Sequence, residues 1–369
     1  MGQPSADRDY LPGHARVLSL LQSLSLRRPK WRVRVVGTNG KGSTSWMVAS
    51  AFASLGMKVG LYTSPHILAF NERIRIDGIP VESEVLNGVV ERLMPRALTI
   101  GASYFEVATA AALVIFSAEQ VDVEILEAGV GARLDATTAV DADIAVITPI
   151  GLDHQGWLGD SLELVAYEKS FAMEGCRWVV SSPQDEVVEM LLHTVRADLT
   201  IAVDVEVQPK MWGLHQQQNA SLALQVMRLL MKDEMISTAL DDRIKRAIEQ
   251  TVVPGRMQKI VYKDEAIVWL DAAHNMHAIM ALVKGFKESG LFFDVILVQT
   301  REDRNLDDAI DMLSPFAGQV VFPRAKDGEH VASVIAALKD VLGHVPQGEI
   351  LVLGSFITVA AAMQCLTEI

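Results

Sequence analysis

One glycine-rich segment constrains the fold of this chain more than any other, the run Gly37, Thr38, Asn39, Gly40, Lys41, Gly42, Ser43 and Thr44. It follows an apolar stretch, residues 33–36, that predicts a buried strand, and it precedes residues 46–55, which predict a helix. A glycine-rich turn between a strand and a helix directs backbone N–H groups and the positive end of the helix dipole at one point. Lys41 adds a positive charge for phosphates, and Ser43 or Thr44 can offer a hydroxyl to Mg²⁺. The segment therefore predicts a nucleoside triphosphate site and chemistry driven by ATP.

The segment departs from the common phosphate-loop pattern at two positions. That pattern has glycine where Val35 stands, and it has serine or threonine directly after the lysine, where Gly42 stands. The alternative is a tight glycine turn with an unrelated lysine. The order of strand, turn, lysine, hydroxyls and helix favours the phosphate site.

Composition and charge exclude several classes of protein. A length of 369 residues suits two domains, and the net charge of −13 argues against a general nucleic-acid binder, which usually carries a basic face. No apolar run approaches the roughly 20 residues of a membrane-spanning helix, and the first residues lack the apolar core of a signal peptide. Two cysteines, Cys176 and Cys365, imply no disulfide framework and are expected to stay reduced. We therefore expect a cytoplasmic protein without nucleic-acid or membrane partners.

Apolar runs that predict strands alternate with patterns that predict helices. The predicted strands include residues 58–62, 121–126, 144–148 and 178–181, and the predicted helices include residues 82–93 and 105–118. This alternation predicts an α/β fold with a mostly parallel, doubly wound sheet. In such sheets ligands bind beyond the carboxyl ends of the strands. Polar residues do follow those ends, from Gly37, Thr63, Glu127 and Thr148 onward.

A second domain is predicted after a break at Pro254-Gly255. This dipeptide ends the helix predicted over residues 241–250, and another strand–helix alternation begins at residue 266. We expect one domain over residues 1–252 and a smaller α/β domain over residues 257–369, with the site in the cleft between them.

Polar clusters of the first domain each have a functional and a structural interpretation. Glu127, at the end of a predicted strand, can hold Mg²⁺ across from the phosphate loop, whereas Asp135 can instead cap a turn. His154 is either part of the site or a hydrogen-bonded loop histidine. Lys169 lies in a helical pattern and is either functional or an exposed lysine. Residues 63–75 fit either a site loop or an ordinary turn followed by a charged edge strand.

Three further polar residues raise the same question. Asn219 opens a predicted helix, so it can read the edge of a purine or cap that helix. Asp271 and His274 follow a predicted strand of the second domain. They can approach the phosphates or ribose of a nucleotide, or cap the next helix.

Taken together, these motifs resemble those of the folylpolyglutamate synthases and dihydrofolate synthases of the Mur ligase superfamily. The resemblance covers nearly the whole chain, because the motifs follow one another in the family's order. They are the phosphate loop with Gly42 and residues 62–66, 70–74, 103–106, 127–137, 152–154, 168–169, 218–219, 254–256, 271–275 and 354–359. The resemblance implies a Mur-ligase-like ATP-binding domain followed by a Rossmann-like α/β domain.

The resemblance also implies roles for individual residues. ATP would be held by residues 37–44, with Lys41 at the phosphates, and by Asn219, Arg256, Asp271 and His274. Mg²⁺ would be coordinated by Ser43, Glu127 and His154, and Lys169, carbamylated by CO₂, would lie near a second Mg²⁺. Catalysis would depend on Lys41, His154 and Lys169. The folate side would include Ser64, Pro65, His66, Arg73, Phe105, Glu106 and Asp135.

The implied reaction belongs to folate biosynthesis and joins L-glutamate to the carboxylate of a folate or of dihydropteroate. It takes place in two chemical steps. The carboxylate attacks the γ-phosphate of ATP, giving an acyl phosphate and ADP, and the amine of L-glutamate then displaces phosphate. Ala132, Thr138 and Met276 depart from the usual family residues. These departures leave open whether glutamate is added to dihydropteroate, to a polyglutamate tail, or to both. The two-domain architecture suggests a monomer.

Two other interpretations remain. One is a ligase of the same superfamily that acts on cell-wall precursors, against which the Ser-Pro-His and Asn-Glu-Arg elements argue. The other is a nucleotide-binding protein without catalysis. The presence of Lys41, Glu127, His154 and Lys169 together argues against that second interpretation.

Overall fold

The chain contains two separate β-sheets, one in each of two units. A computed structural model describes residues 13–22, 24–203, 206–232, 238–263, 265–300, 307–323 and 329–367. The described residues divide into an N-terminal unit (up to residue 64, 70–209 and 217–251) and a C-terminal unit (65–69, 210–216 and from 252 onward). Each unit is described by itself below.

The sheet of the N-terminal unit is mostly parallel. Its strands are β1 (Trp31–Val36), β2 (Val59–Tyr62), β3 (Ile74–Ile76), β4 (Ile79–Pro80), β5 (Val123–Glu127), β6 (Ile144–Ile147), β7 (Trp178–Ser181) and β8 (Thr200–Ile201). They lie in the order β4-β3-β2-β5-β1-β6-β7-β8. All neighbours are parallel except β2–β3 and β3–β4, which are antiparallel. The predicted doubly wound α/β sheet is confirmed, and an antiparallel hairpin extends it at one edge.

The helices before residue 251 belong to the N-terminal unit, except that the first three residues of α8 belong to the C-terminal unit. They are α1 (His14–Leu21), α2 (Lys41–Ser54), α3 (Ser83–Ile100), α4 (Tyr104–Ala118), α5 (Gln155–Leu158), α6 (Leu162–Ser170), α7 (Glu186–Val195), α8 (Leu214–Leu230) and α9 (Thr238–Gln250). Helix α4 is built almost wholly from alanine and larger apolar residues and is buried along most of its length, so it fills one apolar core. A second core contains apolar residues of β6, α6 and α7.

The C-terminal unit has a smaller α/β sheet. Its strands are β9 (Gln258–Tyr262), β10 (Ala266–Asp271), β11 (Phe293–Val298), β12 (Ala317–Val321) and β13 (Glu349–Leu353), and its helices are α10 (Met276–Ser289), α11 (Asp307–Leu313), α12 (His330–His344) and α13 (Phe356–Thr367). The strand order is β12-β11-β13-β10-β9. Only β9 among these strands is antiparallel to its neighbour. Among the described residues, no helix has both the length and the apolar character that crossing a bilayer requires.

Strand β1 carries two buried arginines that the apolar pattern did not single out. Arg32 forms an ion pair of 2.5 Å with Glu124 on the neighbouring strand β5. Arg34 donates to the carbonyl oxygens of Ala172 and Val140, each at 2.8 Å. These bonds partner charged groups that would otherwise make a central strand unfavourable, although the buried Nε of Arg34 has no hydrogen-bond partner.

Strand β1 is central, and this position explains why the polar residues converge. It pairs with β5 on one side and with β6 on the other, and Val35 is in register with both Glu127 and Val146. The segments that follow β1, β5 and β6 therefore leave the sheet side by side at its carboxyl edge.

Gly60 tests the packing between this sheet and α4. A Cβ atom at Gly60 would lie 2.6 Å from Cδ1 of Phe116, so we expect Gly60→Ala to lower the free energy of unfolding by about 1–3 kcal/mol. Chemical denaturation measures this change. Gly88→Ala is the matched control, because Gly88 is exposed in α3 and a Cβ there meets no atom within 4 Å. Equal stability of the Gly60→Ala variant and the unaltered chain would contradict the packing described.

Candidate active site

The glycine-rich segment forms the connection between β1 and α2, which begins at Lys41. Gly37 has φ of +150° and Gly40 has φ of +86°, values that side chains rarely tolerate. A Cβ at Gly37 would overlap the hydroxyl of Thr148, and one at Gly40 would overlap the side-chain oxygen of Asn219. Both glycines are therefore required by the backbone and by the neighbours that approach it.

The loop is tied to the segment that follows β6. The backbone N–H groups of Thr38 and Asn39 donate to the carbonyl oxygen of Pro149, at 2.9 and 3.3 Å. The hydroxyl of Thr38 donates to the carbonyl of Gly151 and accepts from its N–H group, at 2.8 and 3.0 Å. The position of the residues leading to His154 is thus fixed relative to the phosphate loop.

Two lysines converge on one carbonyl oxygen of this loop. Lys41 donates to the Gly37 carbonyl at 3.2 Å and to that of Thr38 at 3.1 Å. Lys169, in the last turn of α6, donates to the same Gly37 oxygen at 2.8 Å. Lys169 is only 4% exposed, so the alternative of an exposed lysine is wrong. The helical pattern did not indicate which face of α6 meets the sheet.

This arrangement changes the acidity of Lys169. Its burial, and secondly the positive charge of Lys41, lower the pKa of Lys169 to about 7, and the carboxylate of Asp153 opposes the change. A large fraction of Lys169 is therefore a neutral amine near neutral pH, and a neutral amine is a nucleophile.

Glu127 places a buried carboxylate beside the first turn of α2. It ends β5, is 4% exposed and accepts a hydrogen bond from the Ser64 N–H group at 3.1 Å. A Cβ added to Gly42 would be 3.7 Å from both carboxylate oxygens, and Ser43 is buried in the same turn. Glycine at position 42 thus leaves room beside the Glu127 carboxylate.

The donor set at this turn fits Mg²⁺ only together with other ligands. A carboxylate and a hydroxyl are oxygen donors of the kind that Mg²⁺ prefers. Within the described residues, no three side chains of histidine, cysteine, aspartate or glutamate group closely enough to hold an ion. An ion held here would therefore take further oxygens from phosphates and water, as is usual for Mg²⁺.

His154 lies in an exposed position directly before α5. Its backbone has φ of +52°, an uncommon value for a non-glycine residue, and its N–H group donates to the side chain of Asp153 at 2.8 Å. His154 is thus an exposed residue with an uncommon backbone conformation, next to the segment that the phosphate loop holds.

Asn219 faces the phosphate loop from α8. Helix α8 begins at Leu214, so Asn219 lies inside the helix and the alternative of a helix cap is wrong. Asn219 is 3% exposed, and its side-chain oxygen accepts a 3.4 Å hydrogen bond from Thr44. Its amide thus lies against Gly40 and the first turn of α2.

Residues 103–106 form the start of α4. The Ser103 side chain accepts from the Glu106 N–H group, and the Glu106 carboxylate accepts from the Ser103 N–H group, so the two form a capping box. Phe105 is half-buried between two other segments. Its ring lies 6.0 Å from that of Tyr62, and its Cζ atom would be 2.8 Å from a Cβ at Gly129.

Asp135 organises the loop that follows β5. One carboxylate oxygen accepts from the N–H groups of Gly129 and Val130, at 2.9 and 3.1 Å. The other accepts from the N–H and hydroxyl groups of Thr137, at 2.9 and 2.6 Å. The alternative that Asp135 caps a turn is thus confirmed.

The guanidinium group of Arg73 makes cation–π contacts with two aromatic rings. Arg73 is buried, and its guanidinium carbon is 5.4 Å from the ring centre of Phe70 and 5.8 Å from that of Tyr104. A strand, β3, does start at Ile74, but β4 lies outside it, so the alternative that residues 63–75 lead into an edge strand is wrong. Pro65 and His66 belong to the C-terminal unit, whereas Ser64 belongs to the N-terminal unit.

In the C-terminal unit, Asp271 ends β10 and is 4% exposed. It accepts hydrogen bonds from the N–H groups of Met257 and Ala273, at 2.8 and 2.7 Å. Burial raises the pKa of Asp271, and the charge of Arg256 opposes that shift. Helix α10 is capped by Asn275, so capping by Asp271 or His274 is wrong.

The side chains of Arg256 and His274 both contact the phenyl ring of Phe356. The Arg256 guanidinium is 4.8 Å from the ring centre of Phe356, and the ring centre of His274 is 6.2 Å from it. An Nδ1 contact of 2.7 Å joins His274 to the carbonyl of Ala272. The unit thus brings Arg256, Asp271 and His274 together at the end of β10.

The sequence patterns did not single out His215, the second residue of α8. A Cβ at Gly213 would be 2.6 Å from Cε1 of the His215 ring, so glycine is needed beside it. Burial, and secondly the charge of Arg256, lower the pKa of His215 to about 4. The sequence offered one signal for a buried histidine here, the glycine at position 213, two residues before His215 and near the start of a helix.

Strand, glycine-rich loop, lysine and helix in this geometry define a phosphate-loop nucleotide-binding protein. No protein-family model matches the sequence. The Bacillus subtilis dihydrofolate synthase/folylpolyglutamate synthase is 31% identical over 75% of this chain and 72% of its own. The structure of "E.coli FolC in complex with DHPP and ADP" superposes with a TM-score of 0.83 at 26% identity, covering 98% of this chain and 95% of the other.

A third similarity concerns a complex with an ATP analogue. The structure described as "FPGS-AMPPCP-folate complex" has a TM-score of 0.80 at 26% identity and covers 96% of this chain and 94% of the other. The chain belongs to the dihydrofolate synthase/folylpolyglutamate synthase family.

His215 makes the stability of the C-terminal unit depend on pH. Because the pKa of His215 is about 4 in the folded chain and 6.5 ordinarily, stability is full above pH 6.5 and decreases as the pH falls towards 4. We expect a loss of about 3 kcal/mol at most over this range. Equilibrium unfolding in a chemical denaturant, followed by circular dichroism at several pH values, measures it.

The His215→Gln variant is expected to lose most of that pH dependence. His344→Gln is the matched control, because the side chain of His344 is 76% exposed. An unchanged pH profile in the His215→Gln variant would contradict the assignment.

Proposed function

We propose that this chain is an ATP-dependent ligase that joins L-glutamate to the carboxylate of dihydropteroate, of a folate, or of both. The observation that carries the proposal is one glycine-rich loop on which Lys41 and Lys169 meet at the Gly37 carbonyl, with the buried carboxylate of Glu127 beside Gly42. Membership of the family supports it, as do the ADP, AMPPCP and folate named in the complexes of its relatives.

ATP would bind at the loop of residues 37–44. Lys41 would exchange its bonds to the Gly37 and Thr38 carbonyls for phosphate oxygens. Asn219 would hold the loop from α8 through Thr44. Arg256, Asp271 and His274 would bind the nucleotide from the C-terminal unit, where they already lie together.

Mg²⁺ would be held by Ser43, Glu127 and His154, with a second ion near Lys169. The bound ion would neutralise charge on the phosphates. Support comes from the buried Glu127 carboxylate beside Ser43 and from the exposed ring of His154. Phosphate and water oxygens would complete both sites.

Lys169 would react with CO₂. The neutral amine nitrogen would form a bond to the carbon of CO₂ and release one proton, which gives a carbamate anion. The carbamate anion would be attracted by the positive charge of Lys41, which repels the protonated form of Lys169. Burial would also protect the carbamate from water.

In the first chemical step, a substrate carboxylate oxygen would attack the γ-phosphorus, and the bond to the ADP oxygen would break. Lys41 would stabilise the negative charge that gathers on the transferred group. The glutamate amine would then attack the carbonyl carbon of the acyl phosphate. The carbon–oxygen bond to phosphate would break and the nitrogen would lose a proton.

The folate side would be formed by Ser64, Pro65, His66, Arg73, Phe105, Glu106 and Asp135. Phe105 offers an aromatic face for a pterin ring, and Arg73 offers a positive charge stacked on aromatic rings. Glu106 and Asp135 would act mainly by shaping the two segments that carry them, because both are bonded within those segments. We further expect the enzyme to act as a monomer in the cytoplasm.

Lys169→Ala tests the role of the buried amine. We expect turnover to fall at least about 100-fold while ADP binding is largely kept, because the loop of residues 37–44 remains. Incubation with ¹³C-bicarbonate should give a carbamate signal in the NMR spectrum that this variant lacks. Lys58→Ala is the control, since Lys58 forms a largely exposed ion pair with Glu119. Full activity of Lys169→Ala would refute the assignment.

The function itself is tested by phosphate release from ATP with Mg²⁺, L-glutamate and bicarbonate. Dihydropteroate and tetrahydrofolate are compared as acceptors. Turnover with dihydropteroate alone indicates a dihydrofolate synthase, turnover with tetrahydrofolate alone a polyglutamate synthase, and turnover with both a bifunctional enzyme. Absence of turnover with either acceptor would overturn the proposal.

A further inference from the structure

We propose that helix α1 is a positioning element for the pterin side of the site, acting through Arg16 on Glu106 and through His14 on Thr138. The inference rests on the proposed function, because it assumes that the pterin ring is bound near Phe105. Neither Arg16 nor His14 needs to touch the substrate in this role.

Arg16 holds the start of α4. Its Nε donates to both carboxylate oxygens of Glu106, at 3.1 and 2.9 Å, and Glu106 is fully buried. The same carboxylate closes the capping box with Ser103. Phe105 lies between the two residues of that box, so its position depends on the ion pair.

The pair matters because a carboxylate buried without a partner is strongly unfavourable. Without the Arg16 guanidinium, the Glu106 carboxylate would lose two hydrogen bonds and would move towards water or towards other donors. Either change alters the capping box, and with it the contacts of Phe105 with Gly129 and Tyr62.

His14 holds the second pterin-side segment. Its Nε2 lies 2.9 Å from the hydroxyl of Thr138. That hydroxyl is also 2.5 Å from the carbonyl of Ala132 and 2.7 Å from that of Asp135. A hydroxyl has one proton, and carbonyls only accept, so we assign the donor role in the contact with Thr138 to His14. The bond fixes the end of the loop that Asp135 organises.

The two residues can serve different segments because they are two positions apart on one helix turn. Such residues point in different directions, so one reaches α4 and the other reaches the loop after β5. The buried residues Val17, Leu20 and Leu21 fix α1 itself against the core that contains α4. One helix thereby sets the distance between the two segments.

The arrangement predicts a selective kinetic effect. Helix α1 contacts the pterin-side segments through Arg16 and His14. Loss of these hydrogen bonds should therefore raise KM for the pterin acid and leave KM for ATP nearly unchanged. A residue that only stabilises the fold would alter the amount of active enzyme, and hence kcat, without separating the two KM values.

The test compares Arg16→Met, Arg16→Lys and Arg96→Met in the full-length enzyme, with dihydropteroate and tetrahydrofolate as acceptors. Arg96 is the matched control, because it donates to Ser19 of the same helix α1 from an exposed position on α3. We expect KM for the pterin acid to rise about tenfold or more in Arg16→Met, less in Arg16→Lys, and not in Arg96→Met. KM for ATP should stay within about twofold.

A double variant separates an effect on substrate binding from a simple failure to fold. Arg16→Met combined with Glu106→Gln removes both charges, so no carboxylate is buried there after the loss of Arg16. We expect this variant to fold, by thermal unfolding, and still to show the raised KM for the pterin acid. Unchanged KM in the double variant, or an equal rise in both KM values, would overturn the inference.

The second arm concerns His14. We expect His14→Leu to raise KM for the pterin acid, and His14→Gln, which keeps a donor, to restore part of the loss. Failure of both to differ from the unaltered enzyme would remove His14 from the proposal. Absence of turnover in the unaltered enzyme would overturn the proposed function, whereas an active enzyme with unchanged KM in every variant overturns this inference alone.

Discussion

The carbonyl oxygen of Gly37 organises the charged side chains around the glycine-rich loop. Two lysine side chains approach this one oxygen, and the backbone that presents it has φ of +150°, which favours glycine. Lys169 is the more deeply buried of the two, so it is the one whose charge is disfavoured. The fall of its pKa from 10.5 to about 7 corresponds to about 5 kcal/mol against the charged form. The loop thus holds Lys169 where burial favours its neutral form, beside a second lysine, Lys41, that is less buried.

The surrounding sheet makes that separation possible. Parallel strands end at one edge, and β1 has β5 and β6 as direct neighbours, so a carboxylate and a short loop border the glycine segment on its two sides. Glu127 lies beside the first turn of α2, and Pro149 holds the N–H groups of Thr38 and Asn39. Most of these contacts are made by the backbone, which holds the geometry before any ligand arrives.

Much of this organisation was predictable from the sequence. The apolar runs located the strands to within a few residues, and the order of glycines, Lys41 and hydroxyls located the loop. Burial of Lys169 was not predictable, because a short helix of mixed composition does not reveal which face meets the sheet. The start of α8 was misplaced, because polar residues between Leu214 and Asn219 hide its apolar pattern.

Some features depend on contacts between distant parts of the chain. No local pattern indicates that Arg16 meets Glu106, or that His215 lies near Arg256, since each pair is far apart in sequence. The antiparallel strand β9 was also missed, because its alternately half-buried and exposed residues lack the apolar run of a buried strand. Short-range periodicity predicts elements, and tertiary contacts decide which charges are buried.

The edges of the larger sheet have a consequence for association between molecules. Among the described strands, β4 and β8 lie at the two edges, and each is only two residues long. Pro80 in β4 has no N–H group to offer, and a two-residue strand exposes too few backbone groups to guide a partner strand. Both edges therefore resist the strand-by-strand addition through which exposed sheets polymerise, even though most residues of the strands between them are apolar.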